Sequence, residues 1–248
     1  MRVVIAVIIN LIVAYWAKSK KQLDLKAIFL AYVFGMIVML KSYFAYIMLG
    51  VYFFIIQFLE KKVEKVENRT VLQVFCNGIM AVMALIIGWE NSDKAFLIFL
   101  CLLASSLADC VASDVGTTYA SKVYSIVTLK QLPKGISGGI SVVGCCASAA
   151  SALLFGVIYC ICNYPALANV SLQSLCYIFF AGVAGMMLDS ILGAIFQKKY
   201  YCNLHNILCE DDKKCKHKIN IRKYKVLSNN GVNLVTSIIL FLVLEIVL

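Results

Sequence analysis

Eight runs of apolar residues, separated by short polar connections, make up most of the chain. A helix that crosses the roughly 30 Å hydrocarbon core of a bilayer needs about 17 to 25 mainly apolar residues, and each run comes close to that length. The pattern predicts one transmembrane domain over residues 1–248, an all-α, polytopic integral membrane helix bundle of seven to eight spans. The predicted spans are Val3–Ala17, Leu25–Leu40, Ser42–Leu59, Val71–Trp89, Ala95–Cys110, Ile140–Cys162, Leu172–Phe196 and Asn233–Leu248.

The first run has two possible interpretations, and the second and third runs are closely connected. The first follows Arg2 and could instead be a signal peptide. Tyr15 and Trp16 have the character of an interfacial anchor and no small-residue cleavage site follows them, so a retained span is favoured. The second and third runs are joined by little more than Lys41, which predicts a tight helical hairpin.

Composition supports the membrane interpretation and excludes several other classes. The chain is 62% apolar and 15% charged, with a mean hydropathy of +0.88. These values exclude a soluble enzyme, a coiled coil and a disordered tail. A net charge of +10 would suggest nucleic acid binding in a soluble protein. Here the basic residues lie between spans, so the expected partner is the lipid bilayer and no nucleic acid is expected.

Lysine and arginine residues fall mainly in alternate connections. The first, third, fifth and seventh connections carry four, four, three and nine, whereas the second, fourth and sixth carry one, one and none. Positive loops stay in the cytoplasm, so the odd-numbered connections are predicted to be cytoplasmic and both termini to face the other side. The seventh includes a Lys-, Cys- and His-rich loop at residues 199–228. We expect a multi-pass protein of a prokaryotic cell membrane with its active face cytoplasmic.

The chain has eleven cysteines, most of them in apolar runs where a thiol acts as a small hydrophobic group. A separate group of thiols and imidazoles lies in the predicted cytoplasmic loop, where such ligands would suit a structural Zn²⁺. Their spacing fits no standard zinc finger, and reduced thiols are the alternative. The possible zinc ligands are Cys202, His205, Cys209, Cys215 and His217.

Acidic residues at membrane depth are costly and therefore indicate function. Asp109 and Asp114 lie at the end of the fifth predicted span, and Asp189 lies near the end of the seventh. At about 100° per residue, Ser113 shares a helix face with Asp109, and Asp114 is rotated further around it. Glycines four residues before and after Asp189 allow another backbone to approach. This carboxylate is therefore predicted in an interhelical crevice.

A glycine- and serine-rich turn at residues 130–141 joins the fifth and sixth spans. Exposed backbone N–H groups, the N-terminus of the following helix and flanking lysines together can bind phosphate. Close packing of helices is the alternative role for the glycines. The candidate phosphate-binding residues are Lys130, Lys134, Gly135, Ser137, Gly138, Gly139 and Ser141.

Carboxamides open the last span at Asn230 and Asn233. They could ligate a hard cation, bind a phosphate or cap the helix. Together with the three carboxylates they predict a Mg²⁺ site for phosphoryl or nucleotidyl transfer on the cytoplasmic side. Proton-coupled transport is the competing use of buried acids, although it favours acids near mid-membrane on broken helices. The candidate Mg²⁺ ligands are Asp109, Asp114, Asp189, Asn230 and Asn233.

Four blocks of these residues resemble one family of integral membrane proteins, which includes the plant chloroplast phytyl-phosphate kinase and animal transmembrane protein nineteen. The family pattern Ala-Asp-Thr-Trp-Ala-Ser-Glu-Ile-Gly is similar to residues 108–116, and Gly-Thr-x-Gly-Gly-Val-Ser is similar to residues 135–141. Leu-Asp-Ser-x-Leu-Gly-Ala-x-x-Gln, followed by a Cys/His loop, resembles residues 188–197, and Asn-Asp-x-Val-Asn resembles residues 229–233. Arg69 and the segment 73–78 also fit the family pattern.

The resemblance implies a kinase that phosphorylates an isoprenyl monophosphate, such as phytyl, geranylgeranyl or polyprenyl phosphate. It implies Mg²⁺ and a nucleoside triphosphate, with CTP expected. Asp109, Asp114 and Asp189 would be the catalytic acids, and Ser113, Ser190 and Gln197 would join the turn in binding substrate. The chain departs from the family pattern by replacing Thr and Trp at 110 and 111, shortening Glu at 114 and losing a hydroxyl at 136.

The same residues are compatible with two other functions. A CTP-dependent lipid cytidylyltransferase would use the same cation and nucleotide but would join CMP to the lipid phosphate. A transporter or lipid-binding membrane protein would carry out no catalysis. Prenyl phosphate is the expected partner of the kinase, and a lipid phosphate is that of the cytidylyltransferase.

Overall fold

The computed structural model describes residues 2–63, 68–88, 92–162, 172–202, 207–210, 218–220 and 226–248. These form a bundle of eight helices, which confirms the all-α membrane fold. Within the described ranges, α3, α5, α6, α7 and α8 are long and apolar enough to cross a membrane, and two shorter helices are also apolar. The helices are α1 (Arg2–Ser19), α2 (Leu25–Lys41), α3 (Tyr43–Lys62), α4 (Val71–Ile87), α5 (Ser92–Tyr119), α6 (Val142–Cys162), α7 (Leu172–Phe196) and α8 (Asn229–Val247).

Two helices differ from their predicted spans at the ends that carry polar residues. α5 continues nine residues beyond the predicted end at Cys110, to Tyr119. The Thr117 and Thr118 hydroxyls donate to backbone carbonyls of the preceding turn at 2.7 and 2.8 Å, so these polar side chains satisfy the helix that carries them. α8 begins at Asn229 because Ser228 caps it, accepting from the Gly231 N–H at 3.2 Å.

The predicted hairpin between α2 and α3 is present and depends on one residue. Ser42 ends α2, with its N–H donating to the Val38 carbonyl, and caps α3 by accepting from the Ala45 N–H. Two further caps stabilise the starts of helices. Asp24 accepts from the Ala27 N–H at 2.6 Å at the start of α2, and Thr70 and Gln73 form a capping box at the start of α4.

α5 is the central helix and packs against α3, α4, α6, α7 and α8. Small residues allow its closest contacts. A Cβ at Gly144 would lie 2.9 Å from the Ala112 carbonyl oxygen, and one at Gly185 would overlap the Ser105 side chain. These contacts hold α6 and α7 close to α5, which brings the polar end of α5 next to the end of α7 that carries Asp189.

Two small antiparallel sheets, absent from the predicted architecture, lie in the connections. The first joins β1 (Val123–Ser125), β2 (Gln131–Leu132) and β3 (Gly139–Ile140) in the order β2-β1-β3, and the second joins β4 (Tyr200–Cys202), β5 (Ile207–Cys209) and β6 (Lys218–Asn220) in the order β5-β4-β6. Tyr124 pairs with Gln131 and Ile140. Strands of two or three residues are too short to produce a period-2 pattern, so the sequence did not reveal them.

Candidate functional site: a polar pocket beside an apolar cavity

A polar pocket of about 260 Å³ lies where the glycine turn meets the ends of α4 to α8. It gathers most of the residues that the sequence singled out, although they are spread along the chain from Asp109 to Asn233. The predicted residues on its wall are Asp109, Ser113, Gly135, Ser137, Gly138, Gly139, Ser141, Asp189, Ser190, Asn230 and Asn233.

Asp189 is held in the pocket by residues of α8. The Thr236 hydroxyl donates to Asp189 Oδ2 at 3.2 Å. With its amide oriented to satisfy both neighbours, Asn233 donates to the same oxygen and to the Asn229 carbonyl, each at 3.1 Å. The other end of that amide lies 2.9 Å from the Asn77 side chain of α4. The Asp189 carboxylate thus connects α7 to α8 directly, and to α4 through the Asn233 amide.

The glycine turn is pressed against α7 and has backbone conformations that favour glycine. Gly135 and Gly138 have φ angles of +78° and +80°. A Cβ at Gly138 would overlap Ala194, including its backbone, whereas one at Gly135 would have its nearest neighbour at 3.9 Å. The turn therefore does pack closely, as the alternative interpretation of its glycines proposed, and its backbone also faces the pocket.

Glu210, which the sequence analysis missed, lies in the pocket against this turn. The Ser137 N–H donates to Glu210 Oε1 at 2.6 Å, and the Ser137 hydroxyl donates to Oε2 at 2.7 Å. Gln197 donates to Oε2 at 2.8 Å, and the Lys199 ammonium donates to the Ser137 carbonyl at 2.5 Å. The turn thus binds an anion, here supplied by the chain itself. Glu210 belongs to no motif, so the sequence carried no signal for it.

Four predicted residues are not on the wall of the pocket. Asp114 is buried at 5% exposure; five residues after Asp109, it is rotated about 140° around α5, away from that face. Lys130 and Lys134 are exposed beside the turn. Gln197 is buried at 4% exposure and reaches the pocket indirectly, through Glu210.

The possible zinc ligands are mostly beyond what the structure describes. His205, Cys215 and His217 lie outside the described residues. The backbones of Cys202 and Cys209 belong to the paired strands β4 and β5, and their side chains are likewise outside the description. Among the described residues, no group of three His, Cys, Asp or Glu side chains is placed to hold a metal ion.

A second, apolar cavity of about 1110 Å³ is lined mainly by α1, α2, α3 and α4, with α5 and α6 completing its wall, and it adjoins the polar pocket. Aromatic residues of α3, including Phe53 and Phe54, form part of its wall. Arg69, Gln73 and Asn77 border both spaces. The two spaces therefore meet at the start of α4.

Arg69 is a partly buried cation at this junction. Its Nε and Nη2 atoms lie 3.2 and 2.5 Å from Glu60 Oε1, and the two side chains are 15% and 6% exposed. Burial alone would lower the pKa of Arg69, but Cys110, Tyr52 and Glu60 nearby raise the pKa above its ordinary value. The guanidinium is thus charged at every physiological pH.

Comparison with known proteins identifies the family. A model of integral membrane proteins, DUF92, matches residues 8–241. The chain belongs to this family. The match confirms the membership expected from the four sequence blocks.

Two relatives of this DUF92 protein align over most of its length. Protein PGR of Arabidopsis thaliana is 28% identical over 95% of this chain and 92% of its own. An uncharacterised membrane protein of Methanocaldococcus jannaschii is 25% identical over 83% of this chain and 88% of its own. An uncharacterised membrane protein of Synechocystis is 33% identical over 39% of this chain and 36% of its own. No solved structure matches the chain.

Proposed function

We propose that this protein is a membrane-embedded kinase that transfers the terminal phosphoryl group of a nucleoside triphosphate, with CTP expected, to an isoprenyl monophosphate. One observation carries the proposal. Three carboxylates, five carboxamides and an anion-binding glycine turn share one polar pocket, although they come from six separate segments. Positioning and charge neutralisation are what phosphoryl transfer mainly requires of a protein.

The donor set of the pocket suits Mg²⁺. That ion binds through one or two carboxylates and leaves positions for substrate phosphates. Asp109 and Asp189 would hold it, with Asn230 and Asn233 as further oxygen donors, and Asp114 is left out because it lies off the pocket wall. When bound, the ion would neutralise charge on the phosphates during transfer.

The glycine turn would bind the phosphates of the nucleotide. The Ser137 N–H and hydroxyl already hold the Glu210 carboxylate, so these donors point towards an anion. A nucleotide phosphate would take the place of this carboxylate. Ser113, Ser141 and Ser190 line the same wall and would orient the phosphate oxygens.

The reaction needs no strong general base. An oxygen of the prenyl monophosphate is already ionised and would attack the terminal phosphorus, while the bond from that phosphorus to the bridging oxygen breaks. The products would be a prenyl diphosphate and a nucleoside diphosphate. On the charge distribution of the connections, the pocket would open to the cytoplasm.

The test uses purified protein in lipid nanodiscs with α- and γ-labelled CTP and ATP. A panel of prenyl monophosphates is offered with and without Mg²⁺. We expect Mg²⁺-dependent transfer of the γ-label to a prenyl diphosphate. Transfer of the α-label with release of pyrophosphate would instead support the cytidylyltransferase. Failure to consume any nucleotide with any acceptor would contradict both enzymatic functions and support transport or lipid binding.

Asp109→Asn provides the internal control for the assignment of the pocket. We expect it to abolish turnover while the protein remains inserted and folded. Asp93→Asn changes an exposed acid at the opposite end of the same helix and should keep wild-type turnover. Equal turnover in the two variants would contradict the proposed site.

A further inference from the structure

At the junction between the polar pocket and the apolar cavity, a polar and an apolar environment meet. On one side are donors and carboxylates, and on the other is an apolar space of about 1110 Å³. Arg69, Gln73 and Asn77 border both spaces. A molecule with an anionic head and an apolar body could therefore lie across this junction with each part in a matching environment.

Arg69 is suited to hold such a head group. A guanidinium presents a planar set of N–H donors that matches the oxygens of a phosphate, and burial strengthens the interaction. A buried ion pair is a weak source of stability, because desolvation offsets the attraction. The pair of Arg69 with Glu60 is therefore poorly explained by stability alone, and its place at the border of both spaces indicates binding.

We propose that the apolar cavity holds the chain of the lipid phosphate acceptor, and that Arg69 binds its phosphate where the cavity meets the pocket. The identity of this lipid as an acceptor rests on the proposed function, whereas its binding does not require a nucleotide. The cavity slightly exceeds the roughly 300–1,000 Å³ of pockets that enclose one small ligand, which suits a single chain. The two substrates then approach from opposite sides, the nucleotide at the glycine turn and the lipid at α4.

Gly50 marks a position where the cavity can be shortened. It lies on the wall, in α3, and a Cβ built there would meet nothing within 4 Å. The first atom of a side chain at this position would therefore lie in open space on the cavity wall. The size of residue 50 should therefore limit the length of chain that the cavity accepts.

The first test measures binding of tritiated geranylgeranyl monophosphate and of geranylgeraniol to the nanodisc protein without nucleotide. Wild type should prefer the phosphate, and Arg69→Gln should reduce that preference at least about tenfold. Glu60→Gln leaves the guanidinium in place and should retain the preference. An unchanged preference in Arg69→Gln, or equal losses in Arg69→Gln and Glu60→Gln, would overturn the role of Arg69.

A double variant guards against misfolding. Arg69→Gln leaves Glu60 buried without its cation, which could destabilise the protein. The combination of Glu60→Gln with Arg69→Gln removes both charges, and it should show the same loss of phosphate preference as Arg69→Gln. A folded double variant that still prefers the phosphate would also overturn the proposal.

The second test measures chain length. Gly50→Phe should weaken binding of a twenty-carbon prenyl phosphate by about tenfold and that of a ten-carbon one much less, with Gly50→Ala giving a smaller change in the same direction. Cys146→Phe, an exposed position outside both spaces, is the matched control. Equal effects of Gly50→Phe on both chain lengths, or none on either, would overturn the placement of the chain.

These assays separate the two proposals. If the binding results appear but no nucleotide yields a prenyl diphosphate, the lipid site stands and the kinase fails. If a prenyl diphosphate forms while the Arg69 and Gly50 variants bind like wild type, the kinase stands and the lipid site is wrong.

Discussion

The two sides of the bundle differ in how tightly their helices pack. In the apolar window of α5, 67% of the residues are buried, against 22% in α3. α5, α6 and α7 meet through small residues such as Gly144 and Gly185, which bring backbones together. α1 to α4 instead carry large aromatic side chains, and they form most of the wall of the apolar cavity. The close side, formed by α5, α6 and α7, fixes the position of polar groups. The open side, formed by α1 to α4, leaves room for an apolar molecule.

The largest expected effect is on the close side, at Asp189. Asp189→Asn removes a charge on the pocket wall that Thr236 and Asn233 hold in place. We expect turnover in the γ-label assay to fall by roughly a thousandfold or more, because no other residue would replace this proposed metal ligand. Thermal unfolding should stay near that of wild type.

Asp114→Asn is the matched comparison. This carboxylate is buried but lies off the pocket wall, so we expect a larger loss of stability and a much smaller loss of turnover than for Asp189→Asn. Equal losses of turnover would return Asp114 to the set of metal ligands.

Gly138→Ala should destabilise the close side by about 2–4 kcal/mol. It combines a left-handed backbone conformation with a direct overlap of the new methyl group with Ala194. Gly135→Ala has a similar φ angle but open space around it, so about 1 kcal/mol is expected. Thermal unfolding in one detergent measures both variants, and a smaller loss at Gly138 would show that the turn does not pack against α7 as described.

Glu210→Gln should increase the affinity of the turn for an external anion. The neutral amide competes less well than a carboxylate for the Ser137 N–H and hydroxyl, a difference of about 1 kcal/mol. We expect the KM for the nucleotide to fall severalfold. Glu245→Gln, at the far end of α8 beside Lys94, is the control. A rise in KM would instead assign Glu210 to binding of the nucleotide.

The smallest effects concern the helix caps. Ser42→Ala, in the hairpin on the open side, and Ser228→Ala, beside the pocket, should each cost about 1 kcal/mol of stability. Only Ser228→Ala should also change turnover, because the helix that it caps carries Asn230 and Asn233. Equal effects on turnover would mean that the hairpin influences the pocket.

The sequence predicted the fold where hydropathy alone determines structure. α7 has the predicted bounds, and the α2–α3 hairpin is present because apolar length and turn residues fix both. α5 ends later and α8 begins earlier than the predicted spans. The extra residues are polar and bond to their own helix backbone, so a prediction from hydropathy assigns them to loops. The small sheets depend on pairing between short segments, which no local pattern reveals.

For the candidate site too, local patterns were predictable from the sequence and tertiary contacts were not. Motif residues such as Asp109 and Ser137 line the pocket because helix periodicity and turn chemistry place them there. Asp114 was included although its rotation around α5 turns it off that face. Glu210 and the apolar cavity depend on which segments pack together across the bundle, and that information is tertiary. Arg69 fits the family pattern in the sequence, but its place between the two spaces depends on how α3 and α4 pack.

The contact between Gly138 and Ala194 has a mechanical consequence. Ala194 lies five residues after Asp189 on the same helix, so the glycine turn and the Asp189 carboxylate, the proposed metal ligand, are both positioned by α7. A tilt of α7 in the bilayer should move both groups together and largely preserve their separation. Changes of membrane thickness should therefore alter how lipids enter the molecule far more than they alter the spacing of its reactive groups.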